Sequence, residues 1–440
     1  MREAFLMMKH PKGLLFIHLD KAKNELVTFT LPLHEIRTFE AMNRVHTLII
    51  LCLGVLILSS SCEGFFGTKT DPSFIDEPQF DDNTVAYVPI QPVLDGFVRP
   101  VDVIAGWDEL IYVADGGTEE IVALDQAGNE QGRFRIQGLK AIVQDRRLDI
   151  IALGTRDTVI GGATFTLPAI YRLDLNKRGD YGIANASITN IITHPFYFKN
   201  TTPSGGDEAA AFTGVGIVHD NRYYVTRTGP SNSPSRFGGP DDAVLIFNSD
   251  DSFLSTVSVN TPLGIFNNYF KAPSGIATLA QPPQTPAVST RGDFYYASLG
   301  EGNVLKVQRI RFAESDFGAS FVVDNLPAGD TTKADNFLYT PSRFEKPQDV
   351  TVAGDGTSYI FVVDSERDSL YQFSTLGYEG VNPPAGSRSN KAIYASFGGT
   401  GVGLTQFNEP SGVAYLDRIV YVADAGNGRI LRFKLTTDFE

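Results

Sequence analysis

Cysteine is almost missing from this sequence of 440 residues: there are two, Cys52 and Cys62, both beside one apolar run. The chain beyond Cys62 therefore has no disulfide and no thiol metal ligand of its own. All four methionines precede Cys62, and of six histidines only His194 and His219 follow it. That is too few for a histidine-rich metal site, while Asp and Glu could still hold a hard cation. Basic clusters are missing as well. Formal net charge is −14 and no Lys/Arg patch of the kind that follows a phosphate backbone occurs, which argues against nucleic acid and against an anionic membrane surface as partners. The one long apolar run, residues 48–58, is far shorter than the ~20 residues a spanning helix needs. What is abundant is glycine and aromatic residues, with ordinary apolar content, a composition that suits an all-β protein.

The clearest organised stretch is residues 397–433. A glycine-rich loop ends at Pro410, whose fixed φ and missing N–H suit a strand entrance. Residues 411–415 and 418–423 read as strands, Asp424-Ala-Gly-Asn-Gly as a turn, and residues 429–435 as a third strand. The frame recurs from Pro100, from Pro347 and, more weakly, from Pro273. In all four copies the same interval separates the end of the second strand from the last core residue of the third: Asp115 to Leu124, Ser298 to Val307, Asp364 to Phe373, Asp424 to Phe433. The last copy, PSGVAYLDRIVYVADAGNGRILRF, is similar to the NHL repeat. Extending the frame divides the chain into units at residues 97–137, 138–193, 212–259, 272–326, 345–397 and 407–435, the second and third degenerate. The first five units carry a fourth apolar segment: residues 133–136, 187–192, 254–259, 320–323 and 393–397. Together with the resemblance this implies a six-bladed β-propeller over residues 84–440. The sixth unit ends after three strands, so residues 84–90, which alternate at strand period, are expected to complete it and close the ring.

Residues 42–61 have a basic start, a short apolar core and small residues before Cys62, as in an export signal. The LSSSC stretch resembles a bacterial lipoprotein signal, which implies lipidation of Cys62, with residues 62–83 as an acidic tether like those of Bacteroidetes. Residues 1–41 have no repeat pattern and read as an upstream mis-start before Met42.

The aspartates ending the second strands, Asp115, Asp364 and Asp424, suit turns and are expected to be structural. The longest insertions, residues 194–211, 227–242 and 327–344, follow fourth or second strands and so belong on one face, with those at 279–292 and 378–390 on the other. A ligand is expected on the first face, around Tyr197, Arg227, Arg236, Phe237, Asp241, Asp242, Tyr339 and Arg343. Asp102, Lys140, Ser274, Gln348, Asp349 and Ser411, at the starts of the inner strands, are expected to line the channel mouth there. No acid, base and nucleophile constellation is left over. The expected function is a non-catalytic binding scaffold on the bacterial cell envelope, lipid-anchored, with an envelope protein, peptide or carbohydrate as partner and no cofactor. The alternative is a calcium-assisted hydrolase or lactonase at the channel mouth, resembling gluconolactonases, with Asp102 and Asp349 as its only acidic candidates.

Overall fold

The computed structural model describes residues 85–439, apart from 177–178, 284–291, 316–317, 385–386 and 388, together with the backbone of three strands nearer the N-terminus. Two compact units result, Met1–Glu77 and Pro78–Glu440. In the first, Leu6–His10, Gly13–Asp20 and Glu25–Pro32 pair in sequence order as an antiparallel meander, where the sequence analysis assigns no element. The signal, Cys62 and the tether lie outside the described residues.

Six sheets, antiparallel except for one parallel pairing, Val259 with Phe321 at the outer edge of blade four, make the second unit a propeller. Its inner strands are Pro100–Ala105, Ala141–Gln144, Ala211–Ile217, Pro273–Thr278, Pro347–Val352 and Pro410–Leu416. The second strands of blades one, four and five, Ile111–Asp115, Phe294–Ser298 and Ile360–Asp364, are buried throughout, because both faces of a blade pack on neighbouring blades. Six apolar clusters occupy the six gaps between blades. The ring closes as expected: Tyr87–Pro89 pairs antiparallel with Arg429–Leu435, the third strand of blade six, through Tyr87↔Leu435 and Phe433↔Pro89.

Three departures follow from how outer edges are covered. Blade two has a long hairpin, Ile150–Ile160 with Ala163–Asp174, turned by Gly161 and Gly162 at φ 60 and 86, dihedrals that glycine adopts without a steric penalty. Blade three's outer strand is Phe253–Thr256, and Val259 begins a separate hairpin, Val259–Thr261 with Gly264–Phe266, that joins the outer edge of blade four and makes that sheet six-stranded. In blade five the fourth strand is only Phe397–Gly398. The expected segment at 393–397 is displaced because Gly380 N–H donates to Gln372 O at 2.8 Å and Glu379 bridges Phe373, so residues 379–381 take that edge.

Inner strands all begin on one face of the ring, here termed upper, and end on the lower. Tyr87 is buried against Phe361 and Phe397 in the cluster between blades five and six. Truncation to Tyr87→Ala should lower unfolding free energy by about 3 kcal/mol in denaturant titration, as for other buried aromatics. The exposed neighbour Val88, replaced by Ala, should change it by less than about 0.5 kcal/mol. Equal effects of the two would refute the closing role.

Candidate functional site

All six residues expected at the channel mouth line one axial cavity of about 70 Å³, room for about five waters at 10–15 Å³ each. Hydroxyl residues near the start of three inner strands tie blades together around its rim. Thr213 Oγ1 donates to Pro273 O, Ser274 Oγ to Pro347 O and Ser411 Oγ to Pro100 O, each at 2.7 Å. Gln348 instead donates to Ser365 Oγ of its own blade at 2.8 Å, and Lys140 is exposed at the upper opening. One position further in, blades three, four and six have Gly214, Gly275 and Gly412, while blades one and five have Asp102 and Asp349. The strands approach so closely there that a Cβ on Gly412 would lie 2.8 Å from Asp102 Cα, and one on Gly275 would lie 2.7 Å from Asp349 Oδ1.

Asp102 Oδ2 accepts from Ile142 N–H at 2.9 Å, and Asp349 Oδ2 from Val413 N–H at 3.0 Å. Burial pushes Asp102 up to about 7 despite the backbone donors that favour its charge. Burial, with the charge of Asp102 nearby, raises Asp349 well above the usual carboxylate range. Because the rim hydroxyls have given their protons to carbonyls, this upper half of the channel offers mainly acceptors once the two carboxyl groups are ionised. It suits a hydrogen-bond donor or a cation and disfavours an anion. Calcium takes six to eight oxygens, several of them charged. Here two carboxylates, each already engaged through one oxygen, are joined by no third acidic or histidine ligand among the described residues. The fit to a resident calcium is incomplete.

The eight residues expected on the insertion face fall into two groups. Residues 194–211 and 227–242 brace one another: Arg227, fully buried, donates to Tyr197 OH at 2.6 Å, to Pro240 O at 2.6 Å and to Asp241 O at 3.0 Å. Tyr197 OH in turn meets His194 Nδ1 at 3.1 Å, and His194 Nε2 faces Asp207 Oδ1 at 3.5 Å. Burial, then the positive charge of Arg227, push His194 down to about 3, so this relay holds a neutral imidazole. Arg236 pairs with Asp241, and Asp242 accepts from Thr228 Oγ1 at 2.7 Å. Phe237 stands apart at 76% exposure, its ring 6.3 Å from that of Phe198. Tyr339 and Arg343 do not join this group. Tyr339 OH accepts from Arg309 N–H at 2.9 Å, while Arg343 pairs with buried Glu379 at 2.5 Å and lies 4.7 Å over Tyr371. The third insertion instead runs beside residues 377–379, with Leu338 N–H donating to Gly377 O at 2.8 Å. The assignment of residues 378–390 to a separate face is thereby corrected, because both segments cover the same open edge of blade five.

The aspartates that end the second strands are buried braces. Asp115 accepts from the N–H groups of Val98, Arg99 and Gly117 at 2.9, 2.9 and 3.0 Å. Asp364 accepts from Glu345, Lys346 and Glu366 N–H at 2.6, 3.1 and 3.0 Å. Asp424 accepts from Asn408 N–H, Asn427 Nδ2 and Arg429 Nε at 2.6, 2.8 and 2.7 Å. Residues 407–433, which contain that last brace, match the NHL repeat family. Blade six is an NHL repeat. Its brace, which links the approach to the inner strand with the turn after the second, recurs in blades one and five, and Ser298 holds the position in blade four by donating to Lys271 O at 2.6 Å. No curated protein matches the chain. Solved structures similar to it include auxiliary nutrient-binding proteins from Bacteroides thetaiotaomicron, at 12% identity and a TM-score of 0.46 over 81% of this chain and 74% of that one, and from Bacteroides ovatus, at 10% identity and 0.46 over the same shares. A gluconolactonase from Xanthomonas campestris aligns at 10% identity and 0.44 over 78% of this chain and 88% of that one.

Blades two and three lack the NHL brace and carry a cluster that the sequence analysis missed. Arg172 pairs with Asp145 and Asp251 at 2.7 Å each, and Asp251 also accepts from Tyr223 OH at 3.1 Å and Asn190 Nδ2 at 3.0 Å. This ties the turn after blade two's inner strand to the turn before blade three's outer strand. Another residue passed over is Trp107, on the lower wall of the axial cavity.

The buried aspartates set a pH dependence. Asp102 binds its proton more tightly in the folded state, so its contribution to stability is fully present below about pH 4 and is lost as pH rises through about 7. Asp102→Asn keeps the neutral shape and should abolish that loss, leaving the variant more stable than wild type at pH 8 and similar at pH 4. Parallel denaturant curves at the two pH values check this, and an unchanged pH dependence would sink it.

Proposed function

We propose that the protein is a non-catalytic binding scaffold on the bacterial cell envelope, anchored by lipid at Cys62, that holds a protein, peptide or carbohydrate partner on its upper face. The observation that carries this reading is the bracing of the two interlocked insertions. Buried Arg227 and Asp207 fix loops that present Phe237 to solvent. A rigid loop with an exposed ring loses little freedom on binding, which favours affinity. Pull-down from a detergent-solubilised envelope fraction should recover a partner, with about tenfold weaker binding for Phe237→Ala, in keeping with a central aromatic contact. Val159→Ala, on the exposed tip of the blade-two hairpin, should bind as wild type does. Equal recovery by the two variants would reject the platform. For the anchor, labelled fatty acid should be incorporated by wild type and not by Cys62→Ala.

The second reading, a calcium-assisted hydrolase or lactonase, is favoured by one feature, that Asp102 and Asp349 face the same cavity. Calcium titration by calorimetry separates the two readings. Tight binding that disappears in Asp349→Ala supports the hydrolase, and absence of binding supports the scaffold.

A further inference from the structure

The chain has a single tryptophan, and it stands at the end of the axial channel opposite Lys140. Trp107 lies in the turn after blade one's inner strand. Its backbone N–H donates to Gln144 Oε1 at 2.6 Å and its indole Nε1–H to Gln144 O at 3.1 Å. The ring packs on the cluster between blades two and three and remains half-buried. An indole whose N–H is already bonded, and which still borders open space, has only its π face to offer.

The surroundings narrow what that face could take. The lower half of the cavity is walled by Val143, Gln144, Gln281, Thr351 and Tyr415, none of them charged, in contrast to Asp102, Asp349 and Lys140 above. Charges bordering it are engaged: Asp108 accepts from Tyr112 OH at 2.6 Å and from Tyr181, and Asp355 accepts from Tyr415 OH at 2.6 Å. Arg146 donates to His219 O at 3.0 Å and sits 5.5 Å over the indole. That guanidinium takes one face of the ring, leaving a ligand the other, and it disfavours a second cation there. Two polar groups are left: Gln281 donates through Nε2 to Thr278 O at 3.3 Å, so its carbonyl oxygen has no partner among the described residues, and neither has the Thr351 hydroxyl.

A neutral ligand with one flat apolar face and hydroxyls around its edge satisfies all of these conditions. A purely aromatic ligand would cover the indole but leave the amide and hydroxyl unpaired, at a cost. We propose that this lower mouth binds a neutral pyranose sugar, its ring stacked on Trp107 and a hydroxyl on Gln281, with the buried Thr351 hydroxyl reached through water in the cavity. The cavity, about 70 Å³, has room for waters but is too small for a sugar ring, so the pyranose lies across the opening. This goes beyond the scaffold reading and does not rest on it, since it concerns the opposite face.

Because Trp107 is the only indole, its fluorescence reports this mouth alone. Titration of the purified full chain with D-glucose, D-galactose, D-mannose and N-acetyl-D-glucosamine should give a saturable emission change with at least one of them. Calorimetry with that sugar should show binding at least tenfold weaker in Trp107→Ala, largely kept in Trp107→Tyr, and several-fold weaker in Gln281→Ala. The last variant leaves the indole and its packing intact, so it remains informative should Trp107→Ala fold poorly. Phe237→Ala should leave the titration unchanged, which separates this site from the upper face. No saturable change with any of the four sugars, saturation by phenol instead, or an affinity indifferent to Gln281→Ala and Trp107→Ala would overturn the proposal.

Discussion

A sheet whose edge faces water carries a row of unpaired backbone donors and acceptors, and a ring of sheets has to deal with that edge in every blade. Blade six deals with it by borrowing Tyr87–Pro89 from the far end of the domain, pairing Tyr87 with Leu435 and Pro89 with Phe433, which closes the ring. Once the ring is closed, both faces of every blade are covered and the second strands can be apolar up to their closing residue, as in Ile419–Asp424, where only Asp424 is charged. The same demand explains the irregular outer edges. Blade four is capped by an extra hairpin, and blade five by residues 377–381 with the insertion that precedes it.

Closure also fixes the chemistry of the axis. Six inner strands converge until a Cβ would meet a neighbour's backbone, which is why glycine fills three of the six inward positions. Where two blades place carboxylates there instead, burial removes most of their hydration, and both bind their protons more tightly than free carboxylates do. The hydroxyls of Thr213, Ser274 and Ser411 stitch blade to blade and in doing so turn their acceptors toward the channel. One constraint thus produces both a rigid ring and a channel with an acidic, acceptor-rich upper end and an uncharged, aromatic lower end.

The repeat frame was legible because NHL-type braces are local: Asp424 bonds Asn427 and Arg429, a few positions on. The channel rim was legible for the same reason, since a residue's place in the frame gives its place on the inner strand. The insertions were not. Arg227, Tyr339 and Arg343 read in sequence as exposed polar or aromatic loop residues, yet each is held by a partner from another segment. Arg172 gave no signal at all, with its carboxylates 27 and 79 positions away.

The sequence by itself determined the six repeats, the strand that completes the last of them and the residues that point to the axis, because each follows from short-range periodicity, turn chemistry and the count of strands. Only the tertiary structure decided which loop residues remain free to meet a ligand, since burial and ion pairing are settled by contacts between segments whose spacing in the chain carries no trace of them. Among the residues that stayed accessible after those contacts were made are Phe237 at the upper face and the half-buried Trp107 at the lower.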